Sequence, residues 1–205
     1  MNAKAVAAVA EFCQQIEDGP RPVAGIVQLT GSPSDNASDD VTLALVNKWE
    51  RALRRLERLP VPTVSVLAGD CGGTAFESLM ATDYRIAVRT ASLVPQRDSE
   101  GMWPGMSLYR IANQVGVVAA RRVSVSEGPI EATRALELNL IDEVVEDMTA
   151  ALDRAREVSG SASREYGVRR QLIFDAAHTS FENALGSHLA ACDRVLRHAA
   201  EPLRG

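Results

Sequence analysis

The chain has 205 residues, 46% of them hydrophobic and 24% charged, with a formal net charge of −5. That length suits one domain with a substantial core, and the composition excludes disorder as the dominant state. The acidic balance argues against a nucleic-acid binder, which carries a basic stripe, and no apolar run approaches the ~20 residues of a membrane helix.

The opening stretch MNAKAVAAVAEFCQQIEDG carries acidic and polar residues where a signal peptide is uniformly apolar. No targeting segment is read, and a cytoplasmic protein is expected. Residues 3–17 predict a helix, with Val6, Val9, Cys13 and Ile16 on one apolar stripe, ended by Gly19-Pro20-Arg21-Pro22. Residues 23–30 (VAGIVQLT) predict a buried strand and residues 31–36 a loop. Asp39 or Asp40 is expected to cap the next helix, which runs to about Leu59 and buries Leu45, Trp49, Leu53 and Leu56.

Pro60 and Pro62 frame a turn before a second apolar strand, residues 63–68 (TVSVLA). The loop GDCGG, a helix through about Thr82 and the strand DYRIAV follow. This is the βαβ rhythm of a mostly parallel sheet flanked by helices. Beyond a loop at residues 95–105 the remainder reads as helical, interrupted by a short strand at 141–145. A break falls at Gly160-Ser161, and two further helices occupy residues 163–199.

Cys13, Cys71 and Cys192 match no metal spacing and fit a reducing compartment without disulfides. His178, His188 and His198 stand ten apart, a spacing that drifts around a helix and converges on nothing. No metal site is expected. The basic clusters RALRRLERL and YGVRRQL read as solvated helix faces, or as contacts to the phosphates of an anionic ligand.

The most informative stretch is AGDCGGTAFESLMATDYRIA, residues 68–87. Gly72 and Gly73 after a strand permit a tight turn and close approach of a ligand to the backbone. The following helix leaves its first-turn N–H groups unpaired and partially positive. Thr74 stands near that terminus, and Glu77, three residues on, shares its helix face one turn down. A carbonyl oxygen held by the Thr74 N–H would have an acid/base group nearby, an arrangement that stabilises a thioester enolate. The alternative is a glycine turn followed by an ordinary helix with one surface glutamate. Cys71 reads as a structural thiol rather than a nucleophile, and Asp70 as a loop cap. Trp103 and Tyr109 line a pocket for a flat ring or pack in the core.

Three segments in order, LPVPTVSVLAGDCGGTAFESLMATDYRIA, SLVPQRDSEGMWPGMSLYRIANQVG and PIEATRALELNLIDEVVED, resemble the crotonase (enoyl-CoA hydratase/isomerase) superfamily over nearly the whole chain. The resemblance implies an α/β fold: a layered ββα core over residues 1–160, its N-terminal strands shortened or absent. A C-terminal helical segment, 161–205, would serve oligomerisation as a homotrimer or hexamer. It also implies a CoA-thioester substrate, with CoA as part of the substrate and no separate cofactor. WERALRRLERLP, WPGMSLYRIANQVG and RRQLIFDAAHTSFENALGSHLAACDR further resemble the crotonase-like partners of type III polyketide synthases in dihydroxyphenylglycine biosynthesis. For such a protein the implied reaction is dehydration and aromatisation of a polyketide CoA thioester to 3,5-dihydroxyphenylacetyl-CoA, a precursor step for glycopeptide antibiotics.

Carried over by position, the family's helix glutamate falls on Glu77 and its oxyanion donor on Thr74, with Gly72 and Gly73 beside the thioester. The second donor falls in SPSDNASDD, on Ser38 with Ala37 next. Where the family places a second glutamate, after Pro95, this chain has Gln96, which cannot exchange a proton at neutral pH. Asp98 and Glu100 are the nearest acidic substitutes. Arg85, Arg89, Arg97 and Arg169-Arg170 are candidates for the CoA phosphates. Two functions stay open: an enzyme acting through Glu77, or a non-catalytic partner that stimulates the synthase.

Overall fold

The computed structural model describes residues 1–19, 24–31, 41–160 and 165–200. Asn2 accepts the Ala5 N–H at 2.9 Å and starts helix α1 (Ala3–Asp18), and strand β1 (Gly25–Gly31) follows. Helix α2 (Leu43–Glu57) is capped by Thr42, whose hydroxyl accepts the Leu45 N–H at 3.2 Å. Asp39 and Asp40, expected as its cap, lie outside the described residues; Thr42, two positions beyond Asp40, supplies the acceptor.

Strand β2 (Thr63–Gly72) is the spine of the sheet and continues past Ala68, where the apolar pattern alone would end it. Helix α3 (Thr74–Leu79), strand β3 (Tyr84–Val88) and strand β4 (Ser92–Val94) come next. The first half of β2 pairs in parallel with β1 and β3, while Asp70–Gly72 pairs in parallel with β4. Gly69, at φ 65°, adopts a left-handed conformation at the exchange of neighbours. The expected GDCGG loop is therefore mostly strand, and the turn shrinks to Gly73.

The expected loop at 95–105 contains a small antiparallel hairpin, β5 (Arg97–Asp98) and β6 (Gly101–Met102). Helices α4 (Met106–Val115) and α5 (Val117–Val125) follow, then strand β7 (Ile130–Glu131), helix α6 (Ala132–Glu137), strand β8 (Glu143–Val145) and helix α7 (Met148–Gly160). β7 sits inside a stretch that reads as helical, because two-residue strands carry no period to detect. The sheet order is β7-β4-β2-β3-β8 with β1 on β2, parallel except for β4–β7.

Alternation along β2 and β3 sends side chains to two cores. Val64, Val66, Ile86 and Val88 meet Ala151 and Ala155 of α7 on one face. Leu67 and Ala87 join Phe76, Leu79 and Ile111 on the other. A third cluster joins Cys13 and Ile16 of α1 to Trp49, Leu53 and Leu56 of α2.

Helix α8 (Tyr166–Ala176) is fastened by buried Arg170, which donates to Asp83 Oδ2 at 2.7 Å and to the Leu59 carbonyl. Helix α9 (Phe181–Ala200) packs on α8 with Phe181, Leu189 and Leu196 exposed. None of the described helices is long and apolar enough to cross a membrane.

Candidate active site

Gly73, at φ 52° and ψ −125°, makes the turn that launches α3, a conformation glycine adopts without penalty. The Glu77 N–H donates to the Gly73 carbonyl at 3.1 Å, so the Thr74, Ala75 and Phe76 N–H groups have no acceptor within the helix. Phe76 and Leu79 pin α3 into the core, and the same rotation carries Glu77 inward rather than to the surface. Only 2% of Glu77 is exposed.

Its two carboxylate oxygens have different surroundings. Oε2 accepts the indole N–H of buried Trp49 at 2.6 Å. Oε1 is buried and finds no hydrogen-bonding partner among the described residues. Desolvation pushes the Glu77 pKa up to about 7; the Trp49 hydrogen bond opposes this, Glu50 adds to it, and Arg110 opposes it. Near neutral pH such a carboxyl takes up and returns protons with little bias.

Beside it lies an ion network that the sequence reading missed. Arg110 of α4 donates through Nε to Glu57 Oε1 at 2.7 Å and through Nη1 to Glu50 Oε2 at 2.8 Å. Glu50 and Glu57 are two helical turns apart on α2, a spacing that puts both on one face beside the Trp49 stripe; that was the available signal. Glu50, Arg54, Glu57, Met106, Tyr109 and Arg110 line a cavity of about 280 Å³.

The β5–β6 hairpin brings in Trp103. Its backbone N–H donates to the Gln96 carbonyl at 2.8 Å. Its indole Nε1 is buried and, like Glu77 Oε1, has no partner among the described residues. A Cβ placed on Gly105 would stand 2.9 Å from Trp103 Nε1 and 3.1 Å from Glu77 Oε1, so glycine is what lets these groups approach. Trp49, read from its helical spacing purely as a core residue, is also part of the site. A buried indole N–H usually needs an acceptor, and that rule pointed toward one.

The remaining predicted residues are dispersed. Gly72 belongs to β2, opposite Val94, rather than to a loop. Ser38 and Ala37, the expected second donor, lie outside the described residues. Asp98 and Glu100 are exposed at the hairpin tip, where Asp98 Oδ1 accepts the Glu100 N–H at 2.8 Å, away from Glu77's buried position. Cys71 is buried and desolvation pushes its thiol up to about 12, which suits a packing residue.

Three of the arginines proposed for phosphates serve the fold instead. Arg85 is buried among the carbonyls of Leu79, Met80, Thr82 and Leu140. Arg97 binds the Val123, Ser124 and Ser126 carbonyls at the end of α5, and Arg170 holds Asp83. Arg89 is exposed and pairs with Glu146, and Arg169 is exposed.

A protein-family model for enoyl-CoA hydratase/isomerase matches residues 32–201. An enoyl-CoA hydratase of Amycolatopsis orientalis is 41% identical over 201 residues, covering 98% of this chain and 93% of that protein. Among solved structures, an enoyl-CoA hydratase/isomerase from Marinobacter aquaeolei superimposes with a TM-score of 0.81 at 17% identity, over 96% of this chain and 83% of that one. An enoyl-CoA hydratase from Shewanella pealeana also gives 0.81, at 19% identity over 95% and 79%. At such identities the likeness concerns the fold, a mixed α/β architecture with a helical end.

Proposed function

The chain belongs to the enoyl-CoA hydratase/isomerase family, and from that membership we propose that it is an enzyme acting on a CoA thioester, with Glu77 as its acid/base group. The observation carrying this reading is the Glu77 carboxyl: buried, oriented by Trp49 through one oxygen, with the other oxygen unpaired among the described residues and a pKa pushed up to about 7. The Thr74 N–H, one turn before it, would hold the thioester oxygen while Glu77 moves a proton at the adjacent carbon. Gly73 shapes that turn, and Ser38 or Ala37 would supply the second donor.

More finely, we propose a DpgB-type role: a CoA-linked polyketide, made from malonyl units by a type III polyketide synthase, is dehydrated and aromatised to 3,5-dihydroxyphenylacetyl-CoA. Successive losses of water from a poly-oxo chain need one group that removes and returns protons, a role that Glu77 suits. CoA is substrate here, and no separate cofactor is invoked. Self-association as a trimer or hexamer would use α8 and α9, whose exposed Phe181, Leu189 and Leu196 await cover.

A second reading is a non-catalytic partner that stimulates the synthase, and Gln96 in place of a second acid favours it. The synthase assayed with wild type and Glu77→Gln, comparing product identity, separates the two. Loss of the aromatic product in Glu77→Gln supports the enzyme; full stimulation by that variant refutes it.

A further inference from the structure

Four buried side-chain polar atoms lack a partner among the described residues: Glu50 Oε1, Glu77 Oε1, Arg97 Nε and Trp103 Nε1. Two of them converge. Glu77 Oε1 and Trp103 Nε1 lie 3.1 Å and 2.9 Å from one point, where a Cβ on Gly105 would stand. They are therefore no more than about 6 Å apart, a span that a single oxygen atom can bridge with two ordinary hydrogen bonds.

The two groups differ in kind. An indole N–H only donates, and it exchanges no proton during a reaction. A carboxylate only accepts. The chemical group that satisfies both at once is a hydroxyl, accepting from Trp103 and donating to Glu77. Trp103 is held there by the backbone: its own N–H bonds to the Gln96 carbonyl, and the hairpin pairs Arg97 with Met102 next to it. Gln96 thus contributes through its main chain, while the polar contact at this wall of the site comes from the residue across the hairpin.

We propose that Trp103 is a substrate-binding residue whose indole N–H donates to a hydroxyl on the carbon β to the thioester, opposite Glu77. The proposal rests on the reading of Glu77 as the acid/base group. The Glu77 carboxylate takes the proton from the α-carbon, and the C–H electrons pass into the thioester as an enolate. As the carbonyl re-forms, the α–β double bond forms and the β-carbon–oxygen bond breaks. The departing oxygen takes the proton back from Glu77 and leaves as water, so the carboxylate is restored and no other reactant is consumed. Trp103 steadies the negative charge that grows on that oxygen, an interaction stronger in the transition state than before it. One carboxyl and one indole thereby cover an elimination without a second acid.

The test uses the full chain as wild type, Trp103→Phe, Glu77→Gln and the double variant. Elimination of 3-hydroxybutyryl-CoA is followed by absorbance, and exchange of the α-proton of butyryl-CoA in D2O by NMR. Trp103→Phe is expected to slow elimination about 10²–10³-fold, at least tenfold more than it slows exchange, since butyryl-CoA has no β-oxygen. Calorimetry on Glu77→Gln is expected to give about tenfold tighter binding of 3-hydroxybutyryl-CoA than butyryl-CoA, a preference absent from the double variant. Equal losses in both reactions, or a hydroxyl preference surviving Trp103→Phe, would overturn the role of Trp103. Exchange persisting in Glu77→Gln while the hydroxyl preference still depends on Trp103 would sink the Glu77 reading alone.

Discussion

Trp49 on α2 donates its indole N–H to Glu77 Oε2 on α3 at 2.6 Å, joining a residue 1% exposed to one 2% exposed. The contact fixes the carboxyl's rotation and leaves its other oxygen without a partner among the described residues, so a core residue of one helix orients the carboxyl of another. Replacing Trp49 by Phe keeps the packing but removes a bond that holds the Glu77 pKa down. The pH at which Glu77 becomes a carboxylate should rise above about 7, carrying the lower limb of any Glu77-dependent rate with it. Leaving Oε2 unpaired should also lower stability by roughly 1–3 kcal/mol, read by urea denaturation.

Burial of Glu77 makes stability depend on pH with a definite sign. An unfolded glutamate titrates near its ordinary value of about 4.3, and the folded one at about 7, so between those values the folded state holds a proton that the unfolded state has released. Stability from this group is fully present below the unfolded value, falls as pH rises toward 7, and is level above it. Glu77→Gln, which carries no charge, removes that dependence. Between pH 4 and 8 the variant should gain about 3 kcal/mol relative to wild type, and parallel curves in denaturant at both pH values would contradict the burial argument.

Arg110, 5% exposed, pairs with both Glu50 and Glu57, and although half-exposed Arg54 also reaches Glu57 Oε2 at 3.1 Å, removing Arg110 leaves Glu50 without its cation and Glu57 with only the outer one. Arg110→Met should cost roughly 3–5 kcal/mol at neutral pH. The triple variant Arg110→Met, Glu50→Gln, Glu57→Gln should recover most of that, because the unpaired charges leave with the arginine. Denaturation midpoints of the two variants decide the matter.

Thr74 occupies the first position of α3, where a proline fits a helix and its missing N–H costs no internal hydrogen bond. Gly73, at ψ −125°, avoids the helical ψ that a following proline disfavours. Thr74→Pro should therefore fold while losing about 10²–10³-fold in rate on a thioester, and Thr74→Ala, which retains the N–H, should lose far less. Equal rates for the two variants would exclude that N–H as a donor.

Local sequence carried much of the frame. The stripes of α1 and α2 and the apolar runs of β1, β2 and β3 are each written in a few neighbouring residues, because their periods and caps are short-range. Gly73 and Glu77 were legible for the same reason: a glycine turn and a three-residue step along the helix determine which side chains share a face. The resemblance to the enoyl-CoA hydratase/isomerase family was likewise a matter of ordered motifs, and the family model and the Amycolatopsis orientalis protein bear it out.

What the chain could not announce is which of these pieces touch. Trp49 and Glu77 are 28 positions apart, Glu57 and Arg110 are 53 apart, and Trp103 and Glu77 both come up against Gly105 by way of a hairpin too short to leave a pattern. Sequence also offered Arg85, Arg97 and Arg170 as candidates for the CoA phosphates, although their guanidinium groups bond main-chain carbonyls or Asp83. A side chain's protonation, burial and free lone pairs follow from what the other elements press against it. Residue order therefore named the carboxyl, and only packing in three dimensions gave it a shifted pKa, an indole to hold one oxygen and a second indole within about 6 Å of the other.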